Sequence, residues 1–109
     1  MKNTASMQRV MIFVDGSDRY HHQNLSAALL DRLKKEGCGG ATVFKASAGF
    51  GMHGQIHTNT IVDLASSMPD CILFIETQEK VAQLLPIVEE MVQEGFIAID
   101  DVETIHLTK

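Results

Sequence analysis

The segment Gly49-Phe50-Gly51-Met52-His53-Gly54 is the most conspicuous candidate site in the chain. It fits the GxGxxG pattern, in which glycines let backbone N–H groups approach a phosphate. The dinucleotide-binding fold requires a buried parallel strand before this loop and a helix after it. Here Lys45 interrupts the preceding strand, and polar and β-branched residues follow the loop. Two interpretations remain: a loop that folds over an anion, and a hairpin connection without a ligand.

The five histidines suggest a metal hypothesis. His53 and His57 are four residues apart, and His21 is followed by His22 with Asp18 nearby. A spacing of four brings two ligands to one side only on a helix, which the local glycines disfavour. His21, His53 and His57 are therefore weak metal candidates beside the simpler interpretation of exposed or hydrogen-bonded imidazoles.

Asp15, Asp18, Arg19 and Tyr20 cluster where the first apolar run ends. Arg19 could pair with a phosphate and Tyr20 could stack on a ring, but an Asp-rich turn with Arg19 bridging a carboxylate explains the cluster equally well. No serine lies in a GxSxG elbow and no base accompanies Cys38. We therefore expect a protein that is not an enzyme.

The elements that must position these residues follow from hydrophobic periodicity. Apolar runs predict buried strands at 10–14 and 71–75, and more polar runs predict edge strands at 41–47 and at 96–107, with a break at residues 100–101. Helices are predicted from Asn24 to Gly37 and from Thr77 to Gly95, the second either kinked or divided at Pro86. The path of residues 58–68 is left open. The order βαββαβ predicts an α+β fold, the ferredoxin-like sandwich, with two helices on one face of an antiparallel sheet.

Length and composition indicate one domain over 8–109, preceded by a flexible N-terminus over 1–7. The net charge of −5 disfavours nucleic-acid binding. Two cysteines without disulfide or zinc spacing, no secretory signal and no apolar run of membrane length favour the cytoplasm. Because the central strands are apolar on both faces and two helices cover only one, we expect an oligomer.

Several short motifs together resemble one known family. Asp18-Arg19-Tyr20-His21, Gly40-Ala41-Thr42-Val43-Phe44, Gly49-Phe50-Gly51 and Ile56-His57-Thr58 look like the signature of the PII-like domain-of-unknown-function family 190. This family is often encoded beside CrcB-type fluoride channels. The resemblance implies a ferredoxin-like homotrimer that binds a small effector, typically an adenine nucleotide, in clefts between subunits. It also implies a flexible loop over about 49–58.

Carried onto this chain, the resemblance gives the candidate ligand-binding residues Arg19, Gly49, Phe50, Gly51, His57 and Thr58. The loop lacks the arginines, lysines and tyrosine of nitrogen-regulatory PII proteins, which disfavours ATP with 2-oxoglutarate as the effector pair. The first hypothesis is a non-enzymatic sensor whose effector orders the loop and thereby modulates a membrane transporter or channel. The alternative is a divalent-metal-binding trimer like the copper-tolerance relatives of PII.

Overall fold

The computed structural model describes residues 1–50 and 68–109. They form six strands and two helices: β1 (Lys2–Asp15), β2 (Arg19–Tyr20), β3 (Gln23–Asn24), α1 (Leu25–Lys35), β4 (Ala41–Lys45), β5 (Pro69–Glu76), α2 (Gln78–Met91) and β6 (Phe96–Leu107). Four of the strands form one sheet in the order β4-β5-β1-β6, and each strand is antiparallel to its neighbours. The predicted α+β ferredoxin-like fold is confirmed, with β1 and β5 central. Within the described residues, no helix is long and apolar enough to cross a membrane.

Both helices begin at the predicted capping residues, and α1 ends at the predicted glycine. The side chain of Asn24 accepts from the Ala27 N–H and that of Thr77 from the Lys80 N–H, which satisfies donors that each first turn leaves unpaired. Gly37, at φ 88°, follows the last turn of α1 in the left-handed region. The Gly37 and Cys38 N–H groups then bond back to carbonyls of that turn, as in a Schellman motif.

The second helix is continuous through Pro86, so it is not divided there, and the predicted end at Gly95 is wrong by four residues. Proline removes the hydrogen bond to the carbonyl of Ala82, four residues earlier. Both residues are exposed, so water can solvate that carbonyl. The helix ends at Met91, because Val92 already has extended backbone angles.

The core lies between the two helices and one face of the sheet. Alternate residues of the central strands point into it, and helical spacing supplies the rest: Val10, Ile12, Val14, Leu25, Ala28, Leu29, Leu33, Ile72, Phe74, Val81, Leu84, Val88 and Met91. The opposite face carries the other set of alternate residues. We call it the open face, and its apolar members are Met11, Phe13, Phe44, Cys71, Leu73, Ile75, Phe96 and Ala98.

Two sequence predictions are corrected. Residues 2–7, predicted as part of a flexible N-terminus, form the first half of β1 and pair with residues 102–107. The predicted break at residues 100–101 is also absent, and β6 runs through it. The reason is cross-strand pairing, since the Arg9 guanidinium bonds both carboxylate oxygens of Asp100 at 3.0 and 2.6 Å.

Candidate functional site

The candidate site lies at the end of the sheet where β4 finishes and β5 begins. Lys45 and Asp70 are register partners there, and the Ala46 N–H donates to the Pro69 carbonyl at 3.0 Å. Gly49 also lies against the start of β5, since a Cβ at this position would lie 3.7 Å from the Pro69 ring. The chain on both sides of residues 51–67 is thus fixed against one strand end.

The neighbouring turn also anchors this end. The Gly16 N–H donates to the Met68 carbonyl at 2.8 Å, and the Asn24 amide donates to the Gly16 carbonyl at 3.1 Å. A Cβ on Gly16 would lie 2.5 Å from the Met68 oxygen, so only glycine permits this approach.

An aromatic cavity of about 570 Å³ opens beside Phe50 on the open face. Its size falls within the range of about 300–1,000 Å³ that is usual for small-molecule sites. Phe50 is 70% exposed, and the ring centroids of Phe13 and Phe96 are 6.2 Å apart. The lining combines aromatic rings with the two strand ends: Phe13, Phe44, Lys45, Ala46, Phe50, Pro69, Asp70, Cys71 and Phe96.

An ionic cluster around a buried carboxylate lies at the same strand ends. Asp70 is 1% exposed, yet both of its carboxylate oxygens are satisfied by the Lys45 ammonium and one also by the Ser26 hydroxyl. Ser26 is the second residue of α1, so the carboxylate lies near the positive end of the helix dipole. We call these three residues the Lys45 cluster.

The predicted residue Arg19 lies elsewhere, in the hairpin formed by β2 and β3. Its guanidinium donates to the carbonyl of His22, and the Tyr20 ring stacks on that of His21 with centroids 4.1 Å apart. Both histidines have positive φ, 50° and 69°. Such a two-residue turn normally takes glycine or asparagine.

The hairpin lines a second, polar cavity of about 740 Å³, in which Arg19 is accompanied by the carboxylates Asp18, Glu90 and Glu94. Arg19 therefore lies in a different cavity from Phe50. Among residues 1–50 and 68–109, no group of three or more His, Cys, Asp or Glu side chains could hold a metal ion.

Of the predicted site residues, Gly49 lies against Pro69 and Phe50 lines the aromatic cavity. The predicted residues Gly51, His53, His57 and Thr58 lie outside the described residues. Sequence reasoning missed the Lys45 cluster and the phenylalanines of β1, β4 and β6. One signal was available, because a lysine that interrupts an otherwise apolar strand needs a partner. The strand alone does not reveal that this partner is a buried aspartate.

Neither cysteine is an activated nucleophile. Burial raises the pKa of Cys71, and burial is also the main reason that the pKa of Cys38 is raised. Both side chains therefore remain thiols at neutral pH, the less nucleophilic form.

Solved structures of PII-like proteins share this fold. A PII-like signalling protein of Thermus thermophilus matches with a TM-score of 0.63 at 16% identity, over 94% of this chain and 91% of that chain. CPII of Thiomonas intermedia K12, a nitrogen regulatory PII-like protein solved with ADP, AMP and bicarbonate, matches with a TM-score of 0.59 at 22% identity. That match covers 94% of this chain and 96% of CPII. The fold is PII-like.

Sequence comparison gives the family. Residues 7–104 match the model of the DUF190 family (Uncharacterized ACR, COG1993), and this chain belongs to that family. A UPF0166 protein of Aquifex aeolicus is 33% identical over 96 residues, which cover 88% of this chain and 90% of that protein. A UPF0166 protein of Methanocaldococcus jannaschii is 29% identical over 91 residues, 83% of each chain.

Proposed function

We propose that this protein is a non-enzymatic PII-like regulator. In this proposal it assembles as a homotrimer, binds an adenine nucleotide in clefts between subunits beside Gly49 and Phe50, and modulates a membrane transporter or channel. The observation that carries the proposal is the position of the aromatic cavity. It lies on the open face, so a copy packed on that face would border the bound effector.

The open face supports assembly. Phe44 and Phe96 are 54% and 57% exposed, and Ile75, further along β5 on the same face, is 37% exposed. Together with the half-buried Met11 and Leu73 they form a contiguous apolar surface, which soluble proteins usually cover with a partner. Further copies of the same chain would cover it symmetrically.

The aromatic lining supports an effector with a planar ring. Stacking of a base on an aromatic side chain contributes about 1–3 kcal/mol and tolerates different bases. Phe50 is exposed and free to stack on one face of a base, and Phe44 lines the same cavity. The solved structure of CPII with ADP and AMP, which has the same fold, supports an adenine nucleotide as the first effector to test.

The proposal is non-enzymatic because the aromatic cavity is built mainly from side chains that neither transfer protons nor attack substrates. In this proposal, the bound effector changes the segment after Gly49, and a partner protein recognises that change. The partner remains the membrane transporter or channel that the sequence resemblance implies. The metal-binding alternative stays a prediction, because His53 and His57 lie outside the described residues.

The test is a titration of the purified oligomer with AMP, ADP and ATP by calorimetry and thermal shift. A ligand at about 100 times its Kd adds about 2.7 kcal/mol to the free energy of unfolding, which raises Tm measurably. Phe50→Ala should weaken nucleotide binding by about tenfold through lost stacking, without changing the oligomeric mass. Ile105→Ala is the matched control, because Ile105 is also exposed but lies on the other side of the sheet.

Three outcomes separate the alternatives. Saturable nucleotide binding that depends on Phe50 supports the proposed regulator. A Tm shift with a divalent metal and none with nucleotides favours the metal-binding trimer. Multiple turnover of a nucleotide by the pure protein contradicts the non-enzymatic role.

A further inference from the structure

One half of the β1–β6 ribbon extends beyond the rest of the sheet. β6 pairs with β1 along residues 2–13, whereas β5 pairs with β1 only from Gln8 onwards. We call residues 2–7 and 102–107 the arm. On the β5 side of the arm, no described strand pairs with residues 2–7, so this side is an unpaired strand edge. Such an edge is a template for the addition of a further strand.

The hydrogen-bond pattern shows which backbone groups the arm offers at this edge. The Thr108 N–H donates to the Met1 carbonyl at 2.9 Å, and β1 and β6 stay in continuous register from there. In an antiparallel pair the backbone groups of alternate residues point to the same neighbour. Odd-numbered residues of β1 therefore bond to β6, and the N–H and C=O groups of Lys2, Thr4 and Ser6 point to the unpaired edge.

β4 presents a second unpaired edge of the same size. It pairs with β5 on one side, and no strand of the described residues lies on its other side. The Ala46 N–H donates to the Pro69 carbonyl at 3.0 Å in register with the strand, so even-numbered residues of β4 bond to β5. The N–H and C=O groups of Ala41, Val43 and Lys45 therefore point outward. Each edge thus offers donors and acceptors from three alternate residues.

The two edges also lack the features that normally keep strand edges apart. Proteins protect exposed edges with charged residues, prolines and bulges. Residues 3–7 of the arm and residues 41–44 of β4 contain no charged residue and no proline. The outer edge of β6, by contrast, carries Asp100, Asp101 and Glu103 in one short stretch. Of the unpaired edges that the described residues give the four-stranded sheet, the arm and β4 are therefore the two open to pairing.

We infer that the arm of one copy of this chain adds as a strand to β4 of the next copy. Two different edges in each chain give a head-to-tail contact, which closes into a ring when the rotation between copies permits. Phe44 belongs to β4 and also lines the aromatic cavity, so the added arm runs beside the proposed effector cleft. The inference rests on the proposed homotrimer and identifies a backbone contact that joins its subunits.

Hydrogen exchange at single amides tests the contact in the wild-type protein. The amides of Glu103 and Ile105 point to the outer edge of β6 by the same alternation, and they have no partner in the inferred assembly. The amides of Thr4, Ser6 and Val43 point to the two joined edges. They should exchange about 100-fold more slowly than the β6 amides, because a hydrogen-bonded amide exchanges only when its bond opens.

Proline substitution tests the same contact by removing one donor. Thr4→Pro deletes an N–H that faces the unpaired edge, and edge strands accept proline at such positions. The variant should lower the trimer association constant by about 100-fold, because one backbone hydrogen bond is lost at each of the three interfaces. Ile105→Pro is the matched control, since Ile105 is the register partner of Thr4 and its N–H faces the other edge of the same arm. Sedimentation velocity measures the assembly of both variants, and circular dichroism checks that both keep their strands.

The outcomes separate this contact from assembly in general. Slow exchange at Thr4 and Val43, together with dissociation of Thr4→Pro, supports the inference. A trimer whose Thr4 and Val43 amides exchange as fast as that of Ile105 overturns the inference and leaves the proposed regulator intact. Equal dissociation of Thr4→Pro and Ile105→Pro also overturns it, since the effect would then not depend on the edge. If the wild type sediments as a monomer, the proposed homotrimer and this inference fail together.

Discussion

Phe96→Asp is the substitution that most directly tests assembly through the open face. Phe96 lies on this face in β6, 57% exposed, with its ring beside that of Phe13. Because the ring is already largely outside the core, its loss should leave the fold of a single chain intact. A carboxylate in its place should prevent a second copy from packing there.

The expected effect on assembly follows from the exposed area. A phenylalanine side chain buries about 200 Å² when fully covered, so about 110 Å² of Phe96 remains for a partner to cover. At about 25 cal/mol per Å², covering this area contributes about 2.8 kcal/mol for each copy. A closed trimer contains three such rings, so the variant should lose about 8 kcal/mol, or about six powers of ten in the trimer association constant.

Sedimentation velocity at micromolar concentration is the assay. The wild type should sediment as a trimer, with three times the 12.0 kDa mass of one chain, and Phe96→Asp should sediment as a monomer. Ile105→Asp is the control, because Ile105 is 54% exposed but lies on the opposite side of the sheet. Circular dichroism should show the same secondary structure in all three proteins.

Two results would refute this reasoning. A wild-type protein that sediments as a monomer would show that the open face does not drive assembly. A trimeric Phe96→Asp with unchanged dissociation would place the interface elsewhere.

The remaining predictions concern stability, measured as Tm or by chemical unfolding. Gly16→Ala should destabilise the fold by about 1–3 kcal/mol, because the new Cβ would lie 2.5 Å from a backbone oxygen. Gly40→Ala is the control, because Gly40 has open space around it. Equal Tm values for the two variants would contradict this prediction. His22→Gly should stabilise by about 1 kcal/mol because it relieves a φ of 69°, and an unchanged or lower Tm would be evidence against strain. The hydrogen bond and charge of Arg9 lower the pKa of Asp100, so this ion pair stabilises the fold above the usual aspartate pKa and the contribution disappears as pH falls through the lowered value. Arg9→Gln should therefore flatten the acid limb of the Tm profile, and an identical limb would show that the pair contributes nothing.

The sequence determined the fold because the relevant signals are local. The apolar runs at 10–14 and 71–75 predicted the central strands, and their two-sided apolarity predicted that the open face needs a cover. The side chains of Asn24 and Thr77 cap helices within three residues of themselves, and Gly37 supplies a left-handed backbone. Each of these signals acts over a few residues, so it can be recognised in a single stretch of sequence.

The family resemblance extended the prediction to Gly49 and Phe50, which the structure places at one end of the sheet. Arg19 was predicted with them, but the structure assigns it to the second cavity with carboxylates. Arg19 follows the last residue of β1, and Gly49 and Phe50 follow the last residue of β4. Both strands finish at the same end of the sheet. Only the tertiary structure shows that Arg19 and Phe50 lie in separate cavities.

Tertiary structure alone decided which distant residues became partners. Arg9 keeps β6 continuous through Asp100, although 91 residues separate the two in the chain. Lys45 meets Asp70 across 25 residues, and Asp70 meets Ser26 across 44. A charged residue in a sequence shows that a partner or solvent is required, but the strand order and register select the partner. The Lys45 cluster therefore became visible only once three separate elements had been brought to the same end of the sheet.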